Sequence, residues 1–532
     1  MNENLPPKFE NRWLIAGTLT TESELHIGDG GEAMIGDRSR PANDSESEAS
    51  TVCVDYQGRA FIPGSAIKGV LRAQVFSSGT WDATWEALLG SGSPDSQDAV
   101  GGQLEFWDAF HSNGTGPNKK IDDRNRPFWN HQRRTCVAVS VSLDRRTRTA
   151  ADQLLYHIEY VPADEVFAFE ISGANLSDEA VARVLHLLDT FNGPSRTRAT
   201  LGAQASNSWG QVTCKVSNEM RCFLASDLDA WKTNLVAGYN CCARLVKRDE
   251  LRAKATPIPS RGEFLSVNIT LHFPGPLLVR DPLQAVRAEK ARNVAEQNAT
   301  RTGIVQLPKE PNAAPHLDET GKPFIPAKAV RGVLRSRLEV ILRTLNVPVP
   351  QSSEYSPITS NGVSCANALE TVWKSDLAAQ LFGRSGWLAA ASVSKFKLNT
   401  VCAPTYLYQD FVAVDRFTGG VADKKKFDAR SIVGASLEGS ITVALHRLRP
   451  VDHAQTRLLL AFPLRDLAEG ELCFGSGSAK GYGHCVRADI EVCDPEFNNG
   501  NSLKLNEWLS LLDSNPSHFA NEPQPPPLKY NA

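Results

Sequence analysis

The chain has 532 residues, of which 41% are hydrophobic, and a formal net charge of -3. This length suits about two to four globular domains with ordinary cores and excludes a disordered chain. The near-neutral charge excludes recognition of nucleic acid by bulk positive charge, so local distribution has to decide. No run of about 18 apolar residues occurs, and the first residues lack a basic segment followed by an apolar one, so neither a membrane span nor a signal peptide is expected and the location is read as cytoplasmic. The 11 cysteines stand singly apart from Cys241 and Cys242, and no CxxC spacing suggests zinc or a redox centre.

In chain order, Trp13 to Leu19 reads as a strand that enters a polar, glycine-rich loop at Gly28. The acidic, small-residue stretch that follows carries Asp29, Asp37 and Asp44. A second strand turns at Gln57 and Gly58 and delivers the chain to FIPGSAIKGVLRA, Phe61 to Ala73. There a proline suits the first turn of a helix, Ser65 is placed to cap it, and Ile67, Val70 and Leu71 recur at helical spacing. Lys68 and Arg72, four apart, share one stripe near the positive end of the helix dipole, which is chemically suited to a phosphate; a solvated basic face is the plainer alternative.

A Ser/Gly loop and an alternating strand from Gln103 to Asp108 come next, then the most basic stretch of the chain, Asn113 to Arg148, around a strand from Val137 to Leu143. Its charges are interleaved with Phe128 and Trp129, as a single-stranded nucleic acid requires, although a basic surface loop gives the same pattern. Two strands flank the turn Pro162 to Glu165, Ser177 caps an amphipathic helix to Thr190, and Gly202 and Gly210 bound a loop before a short strand. From Asn218 a helical pattern leads to a Pro/Gly connection, and the domain boundary is placed near Ser260.

The second half repeats the first. FLSVNITLHF echoes the opening strand, a helix-prone insert runs from Gln284 to Asn298, and FIPAKAVRGVLRS carries Arg331 and Arg335 where Lys68 and Arg72 stood, with Lys328 in place of Ser65. Pro63 and Pro326, Asp144 and Asp415, Gly202 and Gly475, Gly210 and Gly483 keep the same order and nearly constant separations, so the chain is an internal duplication. Its second glycine loop has Gly475, Gly477, Gly481 and Gly483 around Lys480. Such a loop lets backbone approach a phosphate or sugar, yet it opens a strand rather than a helix, which speaks against a nucleotide-cofactor loop.

The ordered set IPGSAIKGVLR, LLG with GGQLEFWDAF, LDRRTRTAADQLLYHIEYVPADEVF and a glycine-rich loop before the last strand resembles the RAMP superfamily, and within it the backbone subunits of type III CRISPR effector complexes. Two such units in one chain resemble the fused double-backbone subunit of type III-D systems. The resemblance implies an α+β fold of two tandem ferredoxin-like domains with thumb hairpins and long loop insertions, over residues 1–260 and 261–520, followed by a proline-rich tail at 521–532. It implies guide RNA, complementary target RNA and other effector subunits as partners, with no membrane. Lys68, Arg72, Arg331, Arg335, Lys480 and the loop glycines would hold guide phosphates, and Phe128 and Trp129 would belong to a thumb. Catalytic relatives cut target RNA with a divalent cation such as Mg2+, held by an aspartate between the first strand and the basic helix. Asp37 follows that arrangement and is the expected metal ligand, with Asp44 and Asp29 as competitors; in the second domain the corresponding count lands near Asn312, which leaves Asp281. A purely structural RNA-binding subunit is the first alternative, and a metal-independent RNA-processing nuclease using His26 and His157 the second.

Overall fold

The computed structural model describes residues 8–34, 48–91, 100–112, 129–143, 150–194, 197–227, 243–259, 263–282, 310–318, 320–350, 376–384, 386–400 and 403–514, with a few isolated positions between them. The first domain begins with β1 (Asn11–Thr21), β2 (Gly28–Met34), β3 (Glu48–Val52) and β4 (Phe61–Ile62), followed by α1 (Gly64–Ser78) and α2 (Ala83–Leu89). It continues through β5 (Leu104–Phe106), β6 (Ala109–His111), β7 (Cys136–Leu143), β8 (Ala150–Tyr160), β9 (Val166–Ala174), α3 (Asp178–Leu188), β10 (Val212–Val216), β11 (Glu219–Leu224) and β12 (Arg244–Lys247). The second has β13 (Phe264–Phe273), β14 (Phe324–Ile325), α4 (Ala327–Thr344), β15 (Ala391–Val393), β16 (Phe396–Leu398), β17 (Thr405–Val414), β18 (Val421–Val433), β19 (Ala435–Ala444), β20 (Arg487–Cys493) and β21 (Ser502–Lys504), with further helices at Leu377–Phe382, His453–Ala468 and Leu505–Asp513.

Each domain is an antiparallel sheet with helices on one face. In the first, β1 lies between β9 on one side and β10 and β11 on the other; in the second, β13 lies between β19 and β20. Ile15 faces Ile171 across β1 and β9, and Val267 faces Ile441 across β13 and β19. The inward residues of β1, Trp13, Ile15 and Leu19, are buried against Ile67, Leu71 and Val75 of α1 and Val181, Leu185 and Leu188 of α3. In the second core, Val330, Leu334, Leu338 and Leu342 of α4 meet alternate residues of β13. Each such fully buried side chain contributes roughly 1.5–3 kcal/mol, so the period-2 and period-3.6 patterns fix which face of each element is inside. The α+β fold of two tandem ferredoxin-like domains is what the chain adopts.

Several local expectations are revised. Ser177 does cap α3, accepting from Ala180 N at 3.1 Å. Ser65 does not cap α1: Pro63 is the N-cap and makes no side-chain cap bond, while Asp108 Oδ1 accepts from Gly64 N at 2.8 Å. The polar stretch after Gly28 is strand β2, not loop, because pairing with β3 satisfies its backbone. The stretch from Asn218 opens on strand β11, since alternate buried residues Met220 and Cys222 pack inward. Apart from Gln284 and Ala288, the insert to Asn298 lies outside the described residues.

Two hairpins leave these sheets. β7 and β8 join β2 and β3 in a four-stranded sheet, and β17 pairs with β18 alone. The domains themselves meet along a polar seam. Arg331 Nη1 at the start of α4 donates to Ser206 Oγ at 2.6 Å and to Asn207 Oδ1 at 3.2 Å, and Lys328 Nζ donates to Ser140 Oγ at 2.5 Å. Ser208 Oγ donates to Val393 O at 2.7 Å, Ser392 Oγ to Ala205 O at 3.3 Å, and Lys395 pairs with Glu24 at 2.5 Å. The C-terminal helix is pinned by Asp494, which is fully buried and accepts from Arg457 Nε at 2.8 Å and Trp508 Nε1 at 3.0 Å.

Candidate nucleic-acid interface

The repeated basic helices place their four cations in three different settings. Arg72 donates to Ser91 O at 2.8 Å and lies over the rings of Phe76 and Trp81, while Arg335 is buried, bonded to Glu339 Oε1 at 2.8 Å and Gly383 O at 2.6 Å. Both arginines tie a basic helix to the loop after the next short helix. Arg331 is engaged at the seam. Lys68 is half-buried and has no hydrogen bond or ion pair among the described residues, so it is the member of the set with its charge available.

The glycine loops are built by close approach to their own chain. A Cβ on Gly483 would lie 1.8 Å from Phe474 O, and one on Gly210 would lie 1.9 Å from Leu201 O, so neither position admits a side chain. Between them Gly477 and Gly481 have left-handed backbone, and Gln204 and Ser208 hold the same conformation in the first domain at φ 64° and 60°. The turn is thus conserved in shape across the repeat, although only one copy keeps four glycines. Lys480 lies over Phe411 at 4.2 Å and over Phe427 at 4.7 Å, and Tyr482 donates to Gln409. The loop therefore grips the middle of the β17–β18 hairpin, with a cation–π contact of about 0.5–2 kcal/mol.

That hairpin presents groups that the sequence reading missed. Tyr406, Tyr408, Val412 and Val414 alternate along one face and are exposed, with Arg430 over the Tyr406 ring at 5.1 Å. At the tip, Asp415 Oδ1 accepts from Phe417 N at 2.9 Å and Thr418 N at 2.8 Å, and Phe417 is fully exposed. An apolar ring held out by a rigid turn is suited to stacking on a base. The signal was the period-2 recurrence of Tyr406, Tyr408, Val412 and Val414 in TYLYQDFVAV.

In the first domain Trp129 is half-buried and donates through Nε1 to His131 at 3.0 Å. Phe128 and 113–127 lie outside the described residues. Two charges of the basic stretch serve the fold: Arg133 pairs with Glu159 at 3.0 Å and Arg134 with Glu165 at 2.8 Å. Burial pushes the Glu165 carboxyl up, but the His111 hydrogen bond and Arg134 outweigh it and hold the group below its ordinary value.

Of the candidate carboxylates, Asp37 and Asp44 lie outside the described residues. Asp29 is exposed and accepts from Thr51 Oγ1 at 2.7 Å and Gly31 N at 2.8 Å, bonds that hold its carboxyl below the ordinary aspartate range. Asp281 occupies the equivalent place: Ile27 O accepts from Cys53 N just as Val279 O accepts from His316 N, two residues before each aspartate. No group of three metal-ligating side chains occurs among the described residues. A single ionised, exposed carboxylate fits an Mg2+ that keeps waters and takes its other ligands from phosphates. His26 is buried with Nδ1 2.6 Å from Glu159 O, and burial lowers the His157 pKa; no hydrogen bond joins the two rings among the described residues.

No helix among the described residues is long and apolar enough to cross a membrane. No curated protein shows significant similarity to the chain. A family model described as the RAMP superfamily matches it twice, over residues 18–213 and again over 270–486. With most of the chain and the central strands of both domain sheets inside those two matches, this protein belongs to the RAMP superfamily and carries two of its domains in tandem.

Proposed function

We propose that the chain is a guide-RNA-binding backbone subunit of a type III CRISPR effector complex and that it cuts complementary target RNA in a step needing a divalent cation. The observation that carries the RNA-binding part is the duplicated RAMP domain with an exposed aromatic hairpin, Tyr406, Tyr408 and Phe417, leaving the second sheet. Phe417 at the tip stacks on a base, Arg430 and Lys68 meet phosphates, and the seam keeps the two domains at a fixed spacing along the RNA. The Lys480 clasp sets the angle of the hairpin.

For cleavage, Asp29 and Asp281 are the described carboxylates placed to hold a cation, with Asp37 and Asp44 beyond the described residues. A bound divalent ion supplies charge stabilisation at the phosphoryl oxygens. Thr51 keeps Asp29 ionised and fixes its orientation. A subunit that binds RNA without cutting it is favoured by one observation: Asp29 Oδ1 is already shared between Thr51 and Gly31.

The assembled complex with magnesium and labelled target separates the two. Loss of one product band with Asp29→Ala, Asp37→Ala, Asp44→Ala or Asp281→Ala assigns the cutting residue at that site. Unchanged products for all four, with guide retained, leave the subunit architectural.

A further inference from the structure

At the end of the second sheet remote from its hairpin, a half-buried arginine has no carboxylate partner among the described residues. β13 runs from Phe264, whose ring meets that of His446 at 5.2 Å, to Phe273, whose ring meets that of Phe474 before the glycine loop at 5.8 Å, so roughly 30 Å of strand separates the two ends. Arg447, next to His446, makes a single hydrogen bond among the described residues, from Nη2 to Leu388 O at 3.1 Å. Its Nε is buried and unbonded among them, and its guanidinium lies over the Trp387 ring at 4.8 Å. The carboxylates of this end are committed elsewhere: Asp452 accepts from Arg449 at 2.6 Å and 3.0 Å, and Glu263 faces His453 at 3.8 Å. Burial lowers the Arg447 pKa, and no acidic neighbour opposes that shift.

The fold does not require an arginine at this place. Leu104 pairs with Gly173 and Ala391 with Val443, so Arg447 stands where Ser177, the cap of α3, stands in the first domain. Gly90 and Gly383 hold the same positive-φ turn, at 90° and 88°, but the connection that follows is 384–390 in the second domain against 91–103 in the first. The short connection closes on itself: Arg384 N donates to Trp387 O at 3.2 Å and Trp387 N to Arg384 O at 3.0 Å. Trp387 Nε1 donates to Gln380 O at 3.3 Å and fixes the indole against Arg447, while Leu388 beside it is 49% exposed.

We propose that Arg447, Trp387 and Leu388 form an anchor for an acidic segment of another protein, which sets an Asp or Glu carboxylate on the guanidinium and an apolar side chain on Leu388. Arginine and tryptophan dominate such anchors, and one carboxylate supplies the charge that the chain itself does not. RNA suits the site less well. A strand brings a row of phosphates, each calling for a cation, whereas Arg449 is already paired and Arg447 covers one face of the indole that a base would need. The site is separate from the RNA-binding hairpin, and the inference does not rest on that reading.

The test uses the full chain in cells that make its complex, with a photo-crosslinking benzoylphenylalanine in place of Leu388 and the adduct mapped by peptide mass. The expected adduct joins position 388 to a peptide of another protein that carries Asp or Glu. Arg447→Glu should lower its yield about tenfold, and exchanging the mapped acidic residue for arginine should restore it, which separates a charge pair from incidental capture. Arg447→Gln, which can still donate to Leu388 O, should lower the yield likewise with an unchanged thermal midpoint, because it removes a charge that no described carboxylate balances. A lowered midpoint would show that Arg447 serves the fold and would overturn the proposal. An adduct to RNA or to a second copy of this chain, no adduct, or a yield that the charge exchange does not restore would overturn it as well.

Discussion

Arg72 and Arg335 show how little a shared residue type says about its task. Both look like phosphate ligands on a helix stripe, yet each spends its guanidinium on a carbonyl of its own domain, and Arg335 is enclosed with Glu339. Removing Arg335 takes a hydrogen-bonded cation away from a buried carboxylate, so Arg335→Ala should cost about 3–5 kcal/mol in denaturant unfolding of the full chain, with the double variant carrying Glu339→Gln recovering part of it. RNA affinity lost without loss of stability would instead return Arg335 to the RNA. Glu165 offers a pH reading. Its folded-state pKa is depressed below the ordinary 4.5, so the stability it provides is complete above that value and is lost as pH falls through the depressed one. Glu165→Gln should flatten the acid limb of a stability profile below about pH 4.5; an unaltered limb would show that other carboxylates set it.

At the scale of elements, the glycine loop separates close approach from backbone conformation. Gly483→Ala drives a Cβ into Phe474 O and should lower the thermal midpoint sharply, whereas Gly481→Ala meets nothing within 4 Å and pays only for left-handed backbone, about 1–2 kcal/mol. Equal effects on the midpoint would contradict this division. The elements that bury one face were legible in the sequence: β1, β9, α1 and α3 alternate or repeat because burial against a common core imposes the period. β2 was not legible, since its Gly-rich residues lean on β3 rather than on a core. The glycine motif was legible as a site needing glycine, but two of the carbonyls it approaches, His26 O at Gly202 and Leu278 O at Gly475, belong to distant residues that no local pattern encodes. The same limit hid the seam, because Arg331 and Lys328 read identically whether they face RNA, solvent or another domain.

Over the whole molecule, the seam joins the two duplicated domains through side-chain hydrogen bonds and an ion pair. Its Glu24–Lys395 pair is largely enclosed, with side chains 14% and 19% exposed. Glu24→Lys should loosen the junction and split thermal unfolding into two transitions, and the charge-swapped double variant with Lys395→Glu should restore a single one; a single transition in every variant would mean that the domains are coupled elsewhere. As proposed, this chain lines a guide RNA and touches it through its hairpins. Ultraviolet crosslinking of the complex purified from its own cells, followed by mass mapping of RNA-linked peptides, tests that most directly. The expected result is repeat-derived guide RNA attached to peptides of the 403–433 hairpin, Phe417 and Tyr408 among them; guide RNA that links to other subunits and to neither domain of this chain would contradict it.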